Sequence, residues 1–248
     1  MRALRRSKDE LAVLEGPHLV GDAIAAGIEL EELFVTPDFA AGEEGRRLLA
    51  GTSREAAQVA PEVLRELADA DAPQGVLAAA RLPRRGIEAL PRRRGAAYLF
   101  LDGVQDPGNL GAIARVAEAA GAAGLVCGPG CAHPNHPRAL RGSAGSLLRL
   151  PVAWGGAAGE LARHLEPVGG RWIALVAHGG ESLYEAAGAL DGTLVLALGA
   201  EGMGLSPETE ALAQRRLRIP LAGAVESLNV ATAAAVVLFE LRRRALAA

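Results

Sequence analysis

From residue 97 onward the chain alternates short apolar runs with longer helical stretches. The runs are Ala97 to Leu101, Leu125 to Cys127, Trp172 to Ala177, Leu194 to Leu198 and Leu217 to Ile219, each closed by a glycine, a proline or a polar residue. Apolar runs this short, without an alternation of polar and apolar residues, suit strands buried on both faces. Strands separated by helices pair in parallel, because a parallel crossover needs a connection long enough to hold a helix. The expected class is therefore α/β, with a doubly wound, mostly parallel sheet. A helix from about Leu228 to Ala245 closes the chain. It is apolar and alanine-rich on most faces until the run Arg242 to Arg244, which the helix dipole favours at that end. A helix of this kind needs burial on more than one side, which points to a second subunit as well as its own sheet.

The first eighty residues hold a smaller α/β pattern. Ala12 to Ala25 reads as a helix, Leu33 to Val35 as a strand, Arg46 to Leu49 and Pro61 to Ala68 as helical pieces, and Gly75 to Ala80 as a closing strand. The stretch RLPRRGIEALPRRRG then breaks both periodicities. The expected division is 1–82 for an N-terminal unit, 83–95 for an Arg/Pro-rich linker and 96–248 for a second, larger unit.

With 26 basic and 29 acidic residues the formal charge is −3, which does not announce a nucleic-acid binder. The distribution says more. Lys8 is the sole lysine, and six arginines fall between Arg81 and Arg94 against one acid, Glu88. Guanidinium forks suit phosphate, so an RNA-contacting tether and a solvated linker are both open for this segment, Arg84 and Arg85 included. The charged opening MRALRRSKDE has no apolar region behind it, and the run from Val230 to Phe239 is too short for a bilayer. A cytoplasmic protein with no membrane partner is expected. Its two cysteines, Cys127 and Cys131, should be reduced. They fall close to His133 and His136, but zinc sites usually space their ligand pairs further apart, so no metal is expected.

In an open parallel sheet the ligand crevice lies outside the carboxyl ends of the strands. Three segments there stand out: LDGVQDPGNLGAIAR (101–115), LGAEGMGLS (198–206) and IPLAGAVESLNVATAAAV (219–236). The chain has only three asparagines, Asn109, Asn135 and Asn229, all beside loops, and two of them lie in these segments. Asn109 and Asn229 are expected either to cap helices or to hold a ligand. LGAEGMG is G-x-x-G-x-G rather than the dinucleotide fingerprint G-x-G-x-x-G, so a nicotinamide enzyme is disfavoured. Its glycines still allow backbone to approach a flat nucleoside.

In order, spacing and residue type, the three segments resemble the signature motifs of the SpoU (TrmH-like) branch of the SPOUT RNA methyltransferases. The N-terminal unit, ending in DAPQGVLAAA, resembles the L30e-like substrate-binding domain that precedes the catalytic domain in many members. RALRGSAGSLLRLPV (138–152) is similar to a further family stretch. The resemblance implies an α/β catalytic domain with a deep trefoil knot, S-adenosyl-L-methionine as methyl donor, and homodimerisation through that domain. It implies a ribose 2′-hydroxyl of structured RNA as acceptor, with ribosomal RNA preferred and transfer RNA open. A non-catalytic RNA-binding or ribosome-assembly protein of the same fold is the rival.

Carried over position by position, the resemblance makes Asn109, Arg115, Glu201, Ser227 and Asn229 the catalytic set. Ala177, Leu198, Gly199, Ile219, Pro220 and Leu228 become the donor pocket. Arg84, Arg85, Arg138 and Arg141 are expected to contact RNA. The family assigns proton removal to the residue matching Arg115. Arginine is a poor base, so Arg115 is either a base made neutral by its surroundings or a cation that grips phosphate and stabilises the developing alkoxide.

Overall fold

The computed structural model describes residues 11–82, 85–186 and 190–247. Arg84 and the opening decapeptide lie outside them. The N-terminal unit runs β1 (Leu11–Glu15), α1 (Pro17–Ala25), β2 (Leu30–Val35), α2 (Pro37–Ala41), α3 (Glu43–Ala50), β3 (Ala57–Gln58), α4 (Pro61–Leu67) and β4 (Val76–Arg81). Its sheet has the order β1-β4-β2-β3, antiparallel except for the β2–β3 pair.

The single helix expected over Ala12 to Ala25 is instead a strand and a shorter helix. Ala12 and Leu14 are fully buried against β4, and Gly16, at φ 86°, turns the chain into Pro17, the first residue of α1. A proline at the first helical position loses nothing by lacking its N–H, whereas inside a helix it would break the ladder. The Gly16-Pro17 pair therefore outranks the apolar periodicity spanning it.

The second unit comprises β5 (Ala97–Asp102), α5 (Pro107–Ala120), β6 (Gly124–Cys127), α6 (Pro137–Ser143), α7 (Ser146–Arg149), β7 (Val152–Trp154), α8 (Ala158–Leu165), β8 (Arg171–Leu175), β9 (Glu181–Ser182), β10 (Leu194–Gly199), α9 (Pro207–Leu212), β11 (Ala213–Arg218) and α10 (Val230–Ala247). Seven strands pair in parallel in the order β7-β6-β5-β10-β8-β11-β9. Successive residues of β5 serve opposite faces, as a pleated strand requires. Leu99 and Leu101 pack with Leu110, Ile113, Val237 and Leu238 under α5 and α10, while Tyr98 and Phe100 pack with Leu161, Leu165 and Trp172 under α8. Each large apolar side chain so buried contributes about 1.5–3 kcal/mol, an upper-end figure. The β8 strand stops at Leu175, short of the expected Ala177, and β11 begins at Ala213, where the polar run AQRR lies near the sparsely covered edge.

Part of the segment expected to be a linker is packed among the described residues. Ile87 and Leu90 are buried in the cluster beneath α8, and Ile87–Ala89 forms a short 3₁₀ turn. The stretch 138–152 also has a structural duty. Leu140 and Leu148 enter the core of the N-terminal unit beside Leu14 and Val20. Arg141 bridges Glu15 at 3.0 Å and Asp69 at 2.9 Å, and Arg149 joins Asp22 to Glu118, both at 2.7 Å. Among the described residues no helix is long and apolar enough to cross a membrane.

Candidate active site

One register row runs across the carboxyl edge of the larger sheet. Cys127 of β6 pairs with Leu101 of β5, Leu101 with Leu198 of β10, Leu198 with Leu175 of β8, and Leu175 with Leu217 of β11. Every loop that leaves this row opens on the same side. The three motif segments follow β5, β10 and β11, so strand order, not chain order, makes β5 and β10 neighbours.

The first motif enters α5 through Asp106. Its Oδ1 accepts from the Asn109 amide at 2.8 Å and Pro107 opens the helix, so the cap is Asp106, not Asn109. An aspartate directly before a proline is a helix-start signal that the sequence carries and that the reading of Asn109 as a cap passed over. With the backbone satisfied by Asp106, the Asn109 carboxamide is left for other work. Its Nδ2 donates to Glu201 Oε1 at 2.9 Å, and its Oδ1 accepts from Asn229 Nδ2 at 2.9 Å. Asn229 Nδ2 also donates to Glu201 Oε1 at 3.2 Å, while its Oδ1 accepts from the amides of Ala231 and Thr232 at 3.0 and 3.4 Å. A carboxylate can only accept, so Glu201 sets the orientation of both amides, and the α10 amides fix Asn229 independently. Asn229 is thus a helix cap and a site residue at once.

The Glu201 loop is shaped by close backbone approach. Ala200 and Gly204 exchange backbone hydrogen bonds of 3.1 and 2.9 Å, and a Cβ on Gly199 would lie 2.2 Å from the Gly204 carbonyl carbon. Asp102, at the end of β5, ties the loop down by accepting from the Ser206 amide at 2.7 Å. Neither Asp102 nor Ser206 could be singled out beforehand, because their pairing spans 104 residues of chain.

Arg115 and Ser227 do not join this cluster. Both are exposed, and neither side chain makes a hydrogen bond or ion pair among the described residues. Six residues of α-helix carry Arg115 about 9 Å along α5 from Asn109 and about 120° from its face. The Arg115 guanidinium therefore stands on the solvent-facing side of α5, apart from the Asn109 carboxamide.

The residues expected to hold the donor all end or follow strands of this sheet or lead into α10. Ala177 follows β8, Leu198 and Gly199 end β10, Ile219 and Pro220 follow β11, and Leu228 precedes α10. From Pro220 to Leu228 the chain is neither helix nor strand, with one turn at Gly223 and Ala224. A nucleoside here would meet amides and carbonyls outside any helix or strand, with apolar Val225 exposed in the same loop. That donor set suits a flat, partly apolar, hydrogen-bonding ligand such as an adenosyl group.

Of the arginines expected at RNA, Arg138 stands beside the α5 cap, 3.3 Å from Asp106, and is half-exposed. Arg85 is exposed. Both terminal nitrogens of Arg141 are held by Glu15 and Asp69. Cys127 is fully buried, which pushes its thiol up, and the Cys131 thiol is pushed up by burial as well and donates to the Leu101 carbonyl at 3.2 Å. Among the described residues no group of three or more His, Cys, Asp or Glu side chains is disposed to hold a metal.

Residues 96–239, which include all three loops, match the SpoU rRNA methylase family model. The chain belongs to the SpoU rRNA methylase family. Residues 2–78 match the MRM3-like substrate binding domain that accompanies it here. An uncharacterized tRNA/rRNA methyltransferase of Synechocystis sp. is 35% identical over 98% of this chain and 88% of its own length. The 23S rRNA (uridine(2479)-2′-O)-methyltransferase of Streptomyces viridochromogenes is 33% identical over 80% of this chain and 71% of its own. The crystal structure of the SpoU methyltransferase AviRb from the same organism, in complex with AdoMet, superposes with a TM-score of 0.88 at 26% identity. It covers 100% of this chain and 97% of that one. In SpoU terms, the Asn109–Glu201–Asn229 cluster joins one residue from each of the three motifs.

Proposed function

We propose that this SpoU-family chain transfers a methyl group from S-adenosyl-L-methionine to a ribose 2′-hydroxyl of ribosomal RNA, acting as a cytoplasmic homodimer. The observation that carries the reading is the joining of Asn109, Glu201 and Asn229 beside a loop outside any helix or strand. Bound in that loop, the donor supplies an electrophilic methyl on a sulfonium. Ala177, Leu198, Gly199, Ile219, Pro220 and Leu228 are the residues that would hold it.

The chain's own contribution is mainly positioning, which can supply several kcal/mol of a barrier. Asn109 has a second amide hydrogen beyond the one given to Glu201, and this is available to a ribose oxygen. Glu201 and Asn229 keep that hydrogen aimed by locking the carboxamide from both ends. Arg115 and Ser227 complete the proposed catalytic set from the rim, with Arg115 as the cation that steadies a phosphate or the developing alkoxide. Arg138 and Arg85 are offered to RNA phosphate; Arg84 shares that assignment by sequence alone.

The division proposed is residues 1–82 for RNA substrate binding, 83–95 for the connection and 96–248 for catalysis and dimerisation, in line with the matches at 2–78 and 96–239. Dimerisation through α10 is supported by Phe239, 49% exposed on a helix whose opposite stripe is buried. The knot implied by the resemblance belongs to the same proposal, and the passage of β10 between β5 and β8 is compatible with it.

The deciding experiment is calorimetric titration of the dimer with S-adenosylmethionine, followed by mapping of 2′-O-methyl groups in RNA from cells with and without the gene. Donor binding and one ribosomal methyl lost in the deletion are expected. Loss of a transfer-RNA methyl instead would move the substrate. No donor binding would leave the assembly role.

A further inference from the structure

The register row at the carboxyl edge has one more member. Trp154 of β7 pairs with Cys127, and so continues the row from Leu101 away from β10. Beyond Trp154 the chain turns through Gly155 and Gly156 into α8, and the packed arginine-rich segment lies against that turn, the Arg85 carbonyl accepting from the Trp154 amide at 3.3 Å. Between them opens a cleft of about 480 Å³ whose wall includes Ile87, Arg92, Trp154, Gly156, Arg163 and His164.

Three features of this cleft point to one ligand chemistry. Trp154 is 42% exposed, with its ring against His133 at a centroid distance of 4.3 Å, whereas Trp172, the other tryptophan, is 2% exposed. Arg92 is held in place: its Nη2 lies 3.4 Å from Nδ1 of buried His164, whose Nε2 lies 2.9 Å from the Leu90 carbonyl. A carbonyl only accepts, so Nε2 carries the proton and Nδ1 receives the arginine. The wall also holds two carboxylates, Glu88 and Glu160, the latter accepting from the Ala157 amide at 3.1 Å. An aromatic platform, one guanidinium held by His164 with a second, exposed one beside it, and carboxylates together suit a nucleotide. The ring stacks, arginine takes phosphate, and a carboxylate accepts from an exocyclic amino group.

We propose that this cleft docks an unpaired, amino-bearing nucleotide of the substrate RNA close to the methylated one, its base on Trp154 and its phosphate at Arg92 and Arg163. The proposal rests on the RNA reading above and extends it to a second recognition point. Position agrees. β7 lies two strand spacings from β5, about 10 Å, which is about three stacked nucleotides at roughly 3.4 Å each. The arginine segment thereby acquires a function without being a loose tether.

Tryptophan emission tests this directly, since Trp154 is accessible and Trp172 is not. Titration of the full-length protein with single-stranded oligoadenylate should quench the emission, oligouridylate should quench it less, and the Trp154→Phe variant should show no quenching. Trp154→Ala should weaken oligoadenylate binding, read by anisotropy of a labelled strand, by about tenfold. Arg163→Ala should lower the slope of log affinity against log salt by roughly 0.7. Both variants should bind S-adenosylmethionine like the parent, which separates the effect from misfolding. Oligoadenylate binding with unchanged emission, or equal affinity for Trp154→Ala, overturns the proposal. Quenching is read without methyl transfer, so its failure is separable from failure of the methyltransferase reading.

Discussion

Asn229 donates a hydrogen bond of 2.9 Å to the side-chain oxygen of Asn109 across 120 residues of chain. The bond ties the cap of α10 to the first turn of α5, and Glu201 braces it from a third loop. Asn229→Ala removes a helix cap and a brace together. The expected stability loss is about 1 kcal/mol, typical of a cap. The expected loss in kcat is larger, about a hundredfold, because a misplaced positioning group is costly. Thermal unfolding and steady-state methyl transfer measured on one preparation would separate the two. An activity loss no greater than the stability change accounts for would remove Asn229 from the catalytic set.

Arg115 distinguishes two chemistries. As a cation on the rim it should tolerate Arg115→Lys with a loss of about tenfold, while Arg115→Ala should lose about a hundredfold or more. If the lysine variant is as inactive as the alanine variant while RNA affinity is unchanged, phosphate gripping fails as the explanation and proton removal by Arg115 regains weight.

Gly199 tests the donor pocket through sterics alone. A methyl group there meets the Gly204 carbonyl carbon at 2.2 Å, so the Ala200–Gly204 turn must move. Overpacking of this kind costs about 1–3 kcal/mol. In Gly199→Ala, S-adenosylmethionine affinity measured by calorimetry should fall about tenfold or more, with the sheet itself intact by circular dichroism. Parental affinity would mean that the donor does not touch this turn.

The docking of the N-terminal unit is tested at Arg141. The Glu15 side chain is 5% exposed and accepts from Arg141 at 3.0 Å. Arg141→Ala leaves that carboxylate with only the Asp69 and Ala70 amides and should cost about 1–3 kcal/mol. Faster proteolysis between the two units would report the loosened contact, whereas an unchanged cleavage rate would show that Leu140 and Leu148 hold it alone.

Acid should weaken an ion pair inside the larger unit, between α5 and α7. The Arg149 guanidinium, bonded through two nitrogens, lowers the Glu118 carboxyl below its ordinary range, and Ser146 adds to this while burial opposes it. A carboxyl that is depressed in the folded state contributes stability above its unfolded pKa and loses it as pH falls through the folded one. Half-exposure of Arg149 keeps that contribution modest. Unfolding midpoints compared at neutral pH and at about pH 3 should fall less in Arg149→Ala than in the parent. Equal acid sensitivity would assign the effect elsewhere.

The α/β alternation after residue 97, the three loops and the two asparagines Asn109 and Asn229 were legible in the chain because each is local: a short apolar run, a turn, an unusual asparagine. The same local reading failed at Ala12 to Glu15, where burial against β4 made a strand of residues whose periodicity also suits a helix. It also took Ile87 and Leu90 for linker, since their partners under α8 lie more than seventy residues further along.

Residue type and spacing were enough to settle the class of fold and to draw attention to Asn109 and Asn229, while Glu201 was nominated by the resemblance to the SpoU family. Only the tertiary structure decided that the three meet, that Arg115 and Ser227 stand apart, and that Arg141 braces two units. Hydrogen bonds between side chains about ninety or more residues apart depend on strand order, and strand order is an outcome of global packing that no local pattern encodes.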